Sequence, residues 1–286
     1  MVFAVIGGDE RLVRLSRLLA EDGHSVLTFA QETADGTGAA ARSAAEAAAA
    51  ADCVILPLPL SASGGILNAP FSEEKHWISD IFRSIGCGKT VLAGNVDAAA
   101  AEIAREMDIE LTDYFLREEF AVANAVLTAE GAIDIIMHST PTSIWGSKIL
   151  VVGFGRIGKA LAYRLRALGA HVSVSSRTEA DRAWCRAYGY DAEDTRSLGG
   201  HFGAYDVVIN TVPVPVVDSQ CLKELKPGAL CIDLASRPGG VDMSAAEKLG
   251  IHTIWALGLP GKAAPESAGA AIRDTIYNIL REQGRI

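Results

Sequence analysis

Short unbroken apolar runs alternate along this chain with longer stretches in which apolar residues recur every three or four positions. The runs fit strands buried on both faces, and the periodic stretches fit amphipathic helices. Ala4–Val26 (AVIGGDERLVRLSRLLAEDGHSV) holds one full cycle of strand, tight glycine turn, helix closed by Gly23, and second strand. Leu150–Val172 (LVVGFGRIGKALAYRLRALGAHV) repeats that cycle, with Gly7 falling on Gly153 and Gly23 on Gly169.

The parallel continues downstream. Ala51–Pro59 answers to Tyr205–Pro213, each a strand stopped by proline, and Lys89–Asn95 answers to Gly228–Leu234, as Asp108–Asp113 does to Gly250–Trp255. Strands alternating with helices specify parallel sheets covered on both faces, so the pattern predicts an α/β protein of two doubly wound, Rossmann-like domains joined by a long helix. Arg117–His138 is rich in helix formers and long enough to be that connection, with Gly131 its weak point. The expected division is a first domain over 1–116, a connecting helix over 117–140 and a second domain over 141–286. Pro265–Gly284 has helical periodicity and is free to pack back on the first domain. The alanine-rich run Ala39–Ala51, with Arg42 and Glu46 in it, is expected to be helical.

Composition narrows the function classes. The chain has 286 residues, 49% hydrophobic and 21% charged, as two globular domains would. A formal net charge of -9 argues against nucleic acid or an anionic membrane as the main partner. The opening Met-Val-Phe-Ala-Val-Ile-Gly-Gly lacks a basic leader region and reads as a first strand, and no run reaches the roughly 18 apolar residues of a membrane span. A soluble, cytoplasmic protein is expected. Five scattered cysteines show no CxxC pair, and Cys53 and Cys231 sit inside apolar runs as structural thiols. The six histidines (His24, His76, His138, His171, His201, His252) lack metal-ligand spacing, so no metal site is expected.

The strongest chemical signal is Gly153-Phe-Gly155-Arg156-Ile157-Gly158, a GxGxxG that follows an apolar strand and opens a helix. Gly153 permits the tight turn, Gly155 admits a pyrophosphate beside the backbone, and Gly158 lets helix and strand pack closely. An NAD enzyme places an acid roughly 20 positions on, to bind the ribose 2′-OH. Here the next strand ends in Ser176-Arg177-Thr178, a cation and two hydroxyls that suit a 2′-phosphate. NADP is therefore favoured over NAD, with Glu179 as the counter-argument. Thr211, Val212 and Pro213, then Ala235 and Ser236, end the following strands and complete the expected cofactor wall.

The first half carries Asp9 where the second has Gly155, and Leu12 where it has Gly158. An acid repels a pyrophosphate and a leucine blocks the close helix contact, so this domain is expected to bind the substrate instead, its strand ends facing those of the second domain across a cleft. Its strand-end residues Gly8, Asp9, Arg11, Asn95 and Tyr114 are the candidate substrate contacts. Arg11, Arg117, Arg237 and Lys262 suit an anionic substrate with two carboxylates, although each reads equally as a solvated surface charge. Glycine and proline around Arg237 and Lys262 tilt those two toward the site. Asp113, Glu118, Glu119 and Glu130 offer a proton acceptor, while Glu118 and Glu119 also suit a helix N-terminus.

At Gly7-Gly-Asp-Glu-Arg11, Asp113–Glu119, Asn124, Thr128–Gly131, Gly153–Gly158, Asn210–Pro213, Asp233–Gly240 and Gly258–Lys262 the chain resembles the dipicolinate synthase family, A-type subunits, over nearly its whole length. The resemblance implies oxidation of a dihydrodipicolinate-type intermediate of the lysine pathway to pyridine-2,6-dicarboxylate in the mother cell of a spore-former. It implies a partner, the flavoprotein-like B subunit, and a homo-oligomer is expected. It also directs attention to Asn124, Thr128 and Glu130 as substrate contacts, and to Asp113, with Arg237 and Lys262, as the catalytic set. The chain departs from the family at Leu127, where proline is usual, and at Ala264, where valine is usual. Two other readings stay open: a 2-hydroxyacid or alanine-type dehydrogenase, and a non-catalytic NADP-binding scaffold. No histidine lies in a loop fitted to the base that hydroxyacid oxidation wants.

Overall fold

The computed structural model describes residues 1–36 and 38–286. The chain divides into two compact units, Met1–Asn124 with Ala264–Ile286, and Ala125–Ala263. The first unit begins β1 (Val2–Ile6), α1 (Glu10–Glu21), β2 (Ser25–Phe29), β3 (Ala39–Ala40), α2 (Ala44–Ala50) and β4 (Cys53–Ile55). A small hairpin follows, β5 (Ser61–Ser63) and β6 (Ile66–Leu67), and then α3 (Ile78–Ile85), β7 (Thr90–Ala93), α4 (Ala98–Glu106) and β8 (Leu111–Asp113). The helix α5 (Glu118–Ser139) starts in this unit and ends in the second.

The second unit repeats the plan: β9 (Lys148–Val152), α6 (Arg156–Ala167), β10 (His171–Ser176), α7 (Glu179–Ala187), β11 (Asp191–Asp194), β12 (Val207–Asn210), α8 (Ser219–Glu224), β13 (Leu230–Asp233), α9 (Met243–Leu249), β14 (His252–Trp255) and α10 (Leu259–Ala263). Finally α11 (Pro265–Glu282) returns to the first unit.

Both six-stranded sheets are parallel, in the orders β3-β2-β1-β4-β7-β8 and β11-β10-β9-β12-β13-β14. Numbered within each sheet, both run 3-2-1-4-5-6, the doubly wound order whose reversal point lies beside its first strand. Register is shared as well. Val2 pairs with Ser25 in the first sheet as Lys148 pairs with His171 in the second, the same residues of the repeated cycle.

Alternation along β1 sends Phe3 and Val5 toward α1 and α11, and Ala4 and Ile6 toward α2, α3 and α4. In the second unit Ile149 and Val151 pack against α5, α6 and α7, while Leu150 and Val152 meet α8, α9 and Phe202. The C-terminal helix buries Ile272, Ile276, Ile279 and Leu280 in the first core, about 2 kcal/mol of apolar transfer for each. Its Gly269 stands where a Cβ would come within 3.0 Å of the Arg11 carbonyl, so α11 lies directly on α1.

Three features differ from the sequence expectations. The second unit ends at Ala263, because the C-terminal helix packs on the first unit as its periodicity allowed, and α5 is divided between the units instead of standing apart at 117–140. Ala39 and Ala40 are not helical: they pair with Leu27 and Thr28, and the helix starts only after Ser43, whose Oγ accepts the Glu46 N–H. Finally, α5 is long and apolar enough to span a membrane by length and composition. Its apolar residues have partners in the protein, Phe120 in the first core and Ala129, Ala132 and Ile136 in the second.

Candidate functional site

The glycine turn between β9 and α6 is built around close backbone approach. A Cβ on Gly158 would lie 2.1 Å from the Gly153 carbonyl oxygen, and one on Gly153, at φ +104°, would lie 2.5 Å from Thr211 Oγ1. Thr211 is fixed in turn, its hydroxyl donating to the Val152 carbonyl at 2.9 Å. Gly155 differs: among the described residues no atom lies within 4 Å of its would-be Cβ, and α6 starts there with no side-chain cap. A helix of twelve residues thus presents uncapped first-turn N–H groups beside open space, which fits a bound pyrophosphate. Within that turn Arg156 is exposed, and Ile157 packs into the core, so Ile157 offers only its main chain.

At the end of β10 the two hydroxyls are already committed. Ser176 Oγ and Thr178 Oγ1 both donate to Asp181 Oδ2, at 3.0 and 2.7 Å, and Thr178 also caps α7. Those hydrogen bonds, Thr178 foremost, hold the Asp181 carboxyl below the usual range. Glu179 is neutralised by Arg182 and Arg186. Arg177 is exposed and forms no ion pair with a described residue, so it is the group left to meet a 2′-phosphate. Ser176 and Thr178, expected to share that task, instead direct their hydroxyl hydrogen bonds to Asp181 here.

Asp233 and Asn210, which sequence reasoning passed over as site residues, shape the loop after β13. Asp233 is fully buried, and its carboxylate accepts from Asn210 Nδ2 at 2.7 Å and from the N–H groups of Ala235, Gly240 and Val241. Asn210 also bonds both the N–H and the carbonyl of Val212, joining the two loops. Gly240 is required there, since its Cβ would stand 2.4 Å from Asn210 Nδ2. Ala235 is buried, with its carbonyl accepting from Trp255 Nε1, whereas Ser236 and Pro213 are exposed. Arg237 is exposed with its guanidinium 5.1 Å over the Trp255 ring. Neither Arg237 nor Lys262, exposed on α10, forms an ion pair with a described residue. The signal for Asn210 and Asp233 was present, as each is a polar residue ending an apolar strand.

In the first unit most of the expected substrate contacts have other work. Tyr114 is completely buried and donates to the Leu56 carbonyl, and burial drives its phenol far above the usual range, so it is not a substrate contact. Arg11 is 8% exposed, held by Asp9 through Nε at 2.9 Å and Nη2 at 2.8 Å, and it donates to the Leu58 carbonyl. Asp9 also caps α1, and the Gly8 N–H goes to the Asn68 carbonyl at 2.8 Å. Arg117 is pinned by Glu282 through two bonds of 2.6 Å and by Glu119. Asp113 accepts the N–H groups of Asn95, Val96 and Phe115, which leaves it a turn-forming carboxylate rather than a free proton acceptor. Through that clamp Asn95 is exposed at a positive φ of 52°. On α5, Asn124 is half-buried and Thr128 buried, and in the second unit Glu130 pairs with Arg164 at 3.3 Å.

Burial pushes the Cys53 and Cys231 thiols up to about 12, so both are inert packing groups. Among the described residues no three His, Cys, Asp or Glu side chains are grouped as a metal site.

Comparison with known proteins adds a direct test. Residues 2–115 match the N-terminal domain of the dipicolinate synthase A subunit, and residues 116–248 match the D-isomer specific 2-hydroxyacid dehydrogenase, NAD binding domain. Over 283 residues the chain is 33% identical to the dipicolinate synthase A subunit of Bacillus subtilis (strain 168), covering 98% of this chain and 95% of that protein. The crystal structure of the dipicolinate synthase A chain from Bacillus subtilis superposes with a TM-score of 0.86 at 31% identity, over 99% of this chain and 96% of that one. A transhydrogenase from Sinorhizobium meliloti, 18% identical with a TM-score of 0.73 over 99% and 94% of the chains, shares the fold.

Proposed function

Because the chain belongs to the family of dipicolinate synthase A subunits, we propose that it oxidises a dihydrodipicolinate-type intermediate of the lysine pathway to pyridine-2,6-dicarboxylate with NADP. It is an NAD(P)-dependent oxidoreductase whose second unit is the nicotinamide dinucleotide domain. The observation that carries the reading is the turn at Gly155, an uncapped helix start with room beside it for a pyrophosphate. Arg177 supports NADP over NAD, since an unpaired guanidinium matches a 2′-phosphate.

When bound, the cofactor supplies an acceptor for a hydride from the partly reduced ring. The reaction removes one hydride and one proton, and the ring becomes aromatic. Gly153, Gly155 and Gly158 keep the turn open where a diphosphate would sit, and the first-turn N–H groups of α6 would hold it. Arg237 and Lys262 screen the substrate's two carboxylates, and the Asn210–Asp233 pair positions the loop that carries Arg237. Arg11 and Arg117 act structurally. Asn95, with Asn124 and Thr128, stays a candidate substrate contact. With Asp113 occupied by three N–H groups, the proton goes to water. A site that mainly positions two rings has little need of a strong base, because aromatisation drives the step.

The reading extends to a cytoplasmic protein of the mother cell, a homo-oligomer that works with a second, flavoprotein-like subunit. Absorbance assay of NADPH formation by the purified protein, with freshly made lysine-pathway intermediate, tests it. Turnover producing pyridine-2,6-dicarboxylate is expected, and its absence both with and without the second subunit contradicts the reading.

A further inference from the structure

The turn between β10 and α7, where the sequence puts the choice between NAD and NADP, holds an uncompensated acid as well as a free cation. Three carboxylates stand around it. Glu179 is paired with Arg182 and Arg186, and Asp194 with Arg182 and Arg196, so both of those charges are met locally. Asp181 is half-buried and forms no ion pair with a described residue. Its Oδ2 accepts from Thr178 Oγ1 at 2.7 Å and from Ser176 Oγ at 3.0 Å, and its own N–H returns to Thr178 Oγ1 at 3.1 Å. The Thr178 hydroxyl, then the Ser176 hydroxyl and the field of Lys159, outweigh burial and lower the Asp181 pKa, so the group is an anion at neutral pH.

Hydroxyl chemistry decides what such a turn recognises. A hydroxyl has one proton and two lone pairs, and both protons here are directed at Asp181. Toward a ligand, Ser176 and Thr178 therefore present lone pairs. A 2′-phosphate is close to a dianion at neutral pH and offers acceptor oxygens, so turning either hydroxyl toward it forfeits a bond to Asp181. A ribose 2′-OH brings a proton that the same lone pairs accept. Distance sharpens the contrast, because a phosphate oxygen within hydrogen-bond reach of either hydroxyl would lie about 5 Å from the Asp181 carboxylate, where like charges cost affinity even near the surface. Arg177, exposed and without an ion pair to any described residue, acts in the opposite sense. One short turn thus carries a determinant for each cofactor.

We infer that Asp181 is the specificity-determining counterweight to Arg177, keeping the turn open to the 2′-OH of NAD and narrowing the preference for NADP. The inference rests on the cofactor reading above and deepens it by naming the residue that opposes the 2′-phosphate. Calorimetric titration of the full-length protein with NADP and with NAD tests it, with no turnover required. The wild-type protein is expected to bind the two within about tenfold of each other. Asp181→Asn, which removes the charge and keeps the size, is expected to tighten NADP about tenfold and leave NAD unchanged or weaker, and the gain should shrink at about 1 M salt. Asp181→Ala, which frees both hydroxyl protons, is expected to shift the ratio in the same direction, so a folding defect in one variant does not decide the outcome. Melting curves that fall by no more than a few degrees show that α7 keeps its Thr178 cap. Equal changes in both affinities, or none, make Asp181 a capping residue alone and overturn the inference while the cofactor reading stands. A wild-type preference for NADP beyond about 100-fold overturns it as well. Wild-type protein that binds neither dinucleotide removes the cofactor reading and the inference together.

Discussion

At Asp9 the backbone enters α1 with φ -88° and ψ -167°, and at Gly155 it enters α6 with φ -78° and ψ -163°. The preceding bonds match as well: Gly7 N–H reaches the Phe29 carbonyl at 2.8 Å, and Gly153 N–H reaches the Ser175 carbonyl at 3.0 Å. What differs is the surroundings. In the first unit the Asp9 side chain caps the helix, Leu12 fills the space above Gly8, and the hairpin-side Asn68 carbonyl takes the Gly8 N–H. In the second unit the cap and the leucine are glycines, and no described atom lies within 4 Å of the Gly155 Cβ position. One backbone thus makes either a closed structural turn or an anion seat, and two side chains with one inserted hairpin decide which.

Transplanting the first turn's acid into the second is the sharpest way to break this comparison. Gly155→Asp fits sterically and is expected to cap α6, leaving the melting temperature unchanged or slightly raised. By placing a carboxylate where the pyrophosphate sits, it should weaken NADP binding at least about 100-fold, roughly 2.7 kcal/mol, in a calorimetric titration. Gly158→Ala drives a methyl into the Gly153 carbonyl and is expected to destabilise the fold by about 2 kcal/mol in urea unfolding, with weakened cofactor binding. In the first unit, Asp9→Gly removes the cap and the partner of a nearly buried Arg11. A loss of about 1–2 kcal/mol is expected, without a second equivalent of bound dinucleotide, because Leu12 and the Asn68 carbonyl still fill the turn. Arg177→Ala is the mildest change. NADP affinity should fall about tenfold and NAD affinity stay put, a ratio read by paired titrations.

Much of the fold was legible because burial on both faces makes strand runs continuous and because glycine positions repeat through both copies. Gly7 and Gly153, Gly23 and Gly169 were enough to align the units. The hairpin of Ser61–Ser63 and Ile66–Leu67 was not anticipated, since strands of two and three residues show almost no periodicity, although Gly64-Gly65 marks its turn. The cofactor turn was legible for the same reason as the fold: its glycines answer to backbone sterics. The substrate side was not. Whether Arg11 or Arg117 is available depends on Asp9, Leu58 and Glu282, and Glu282 stands 165 residues away in sequence from Arg117. Composition cannot show that Tyr114 faces inward or that Asp113 spends its oxygens on three main-chain donors.

The central claim is that only the second copy of the turn seats a dinucleotide. A crystal structure of the full chain grown with NADP tests it most directly. The pyrophosphate is expected within hydrogen-bond reach of the N–H groups in the first turn of α6, with the 2′-phosphate against Arg177. A dinucleotide lodged at Gly7–Leu12, or none at Gly153–Gly158, would contradict it.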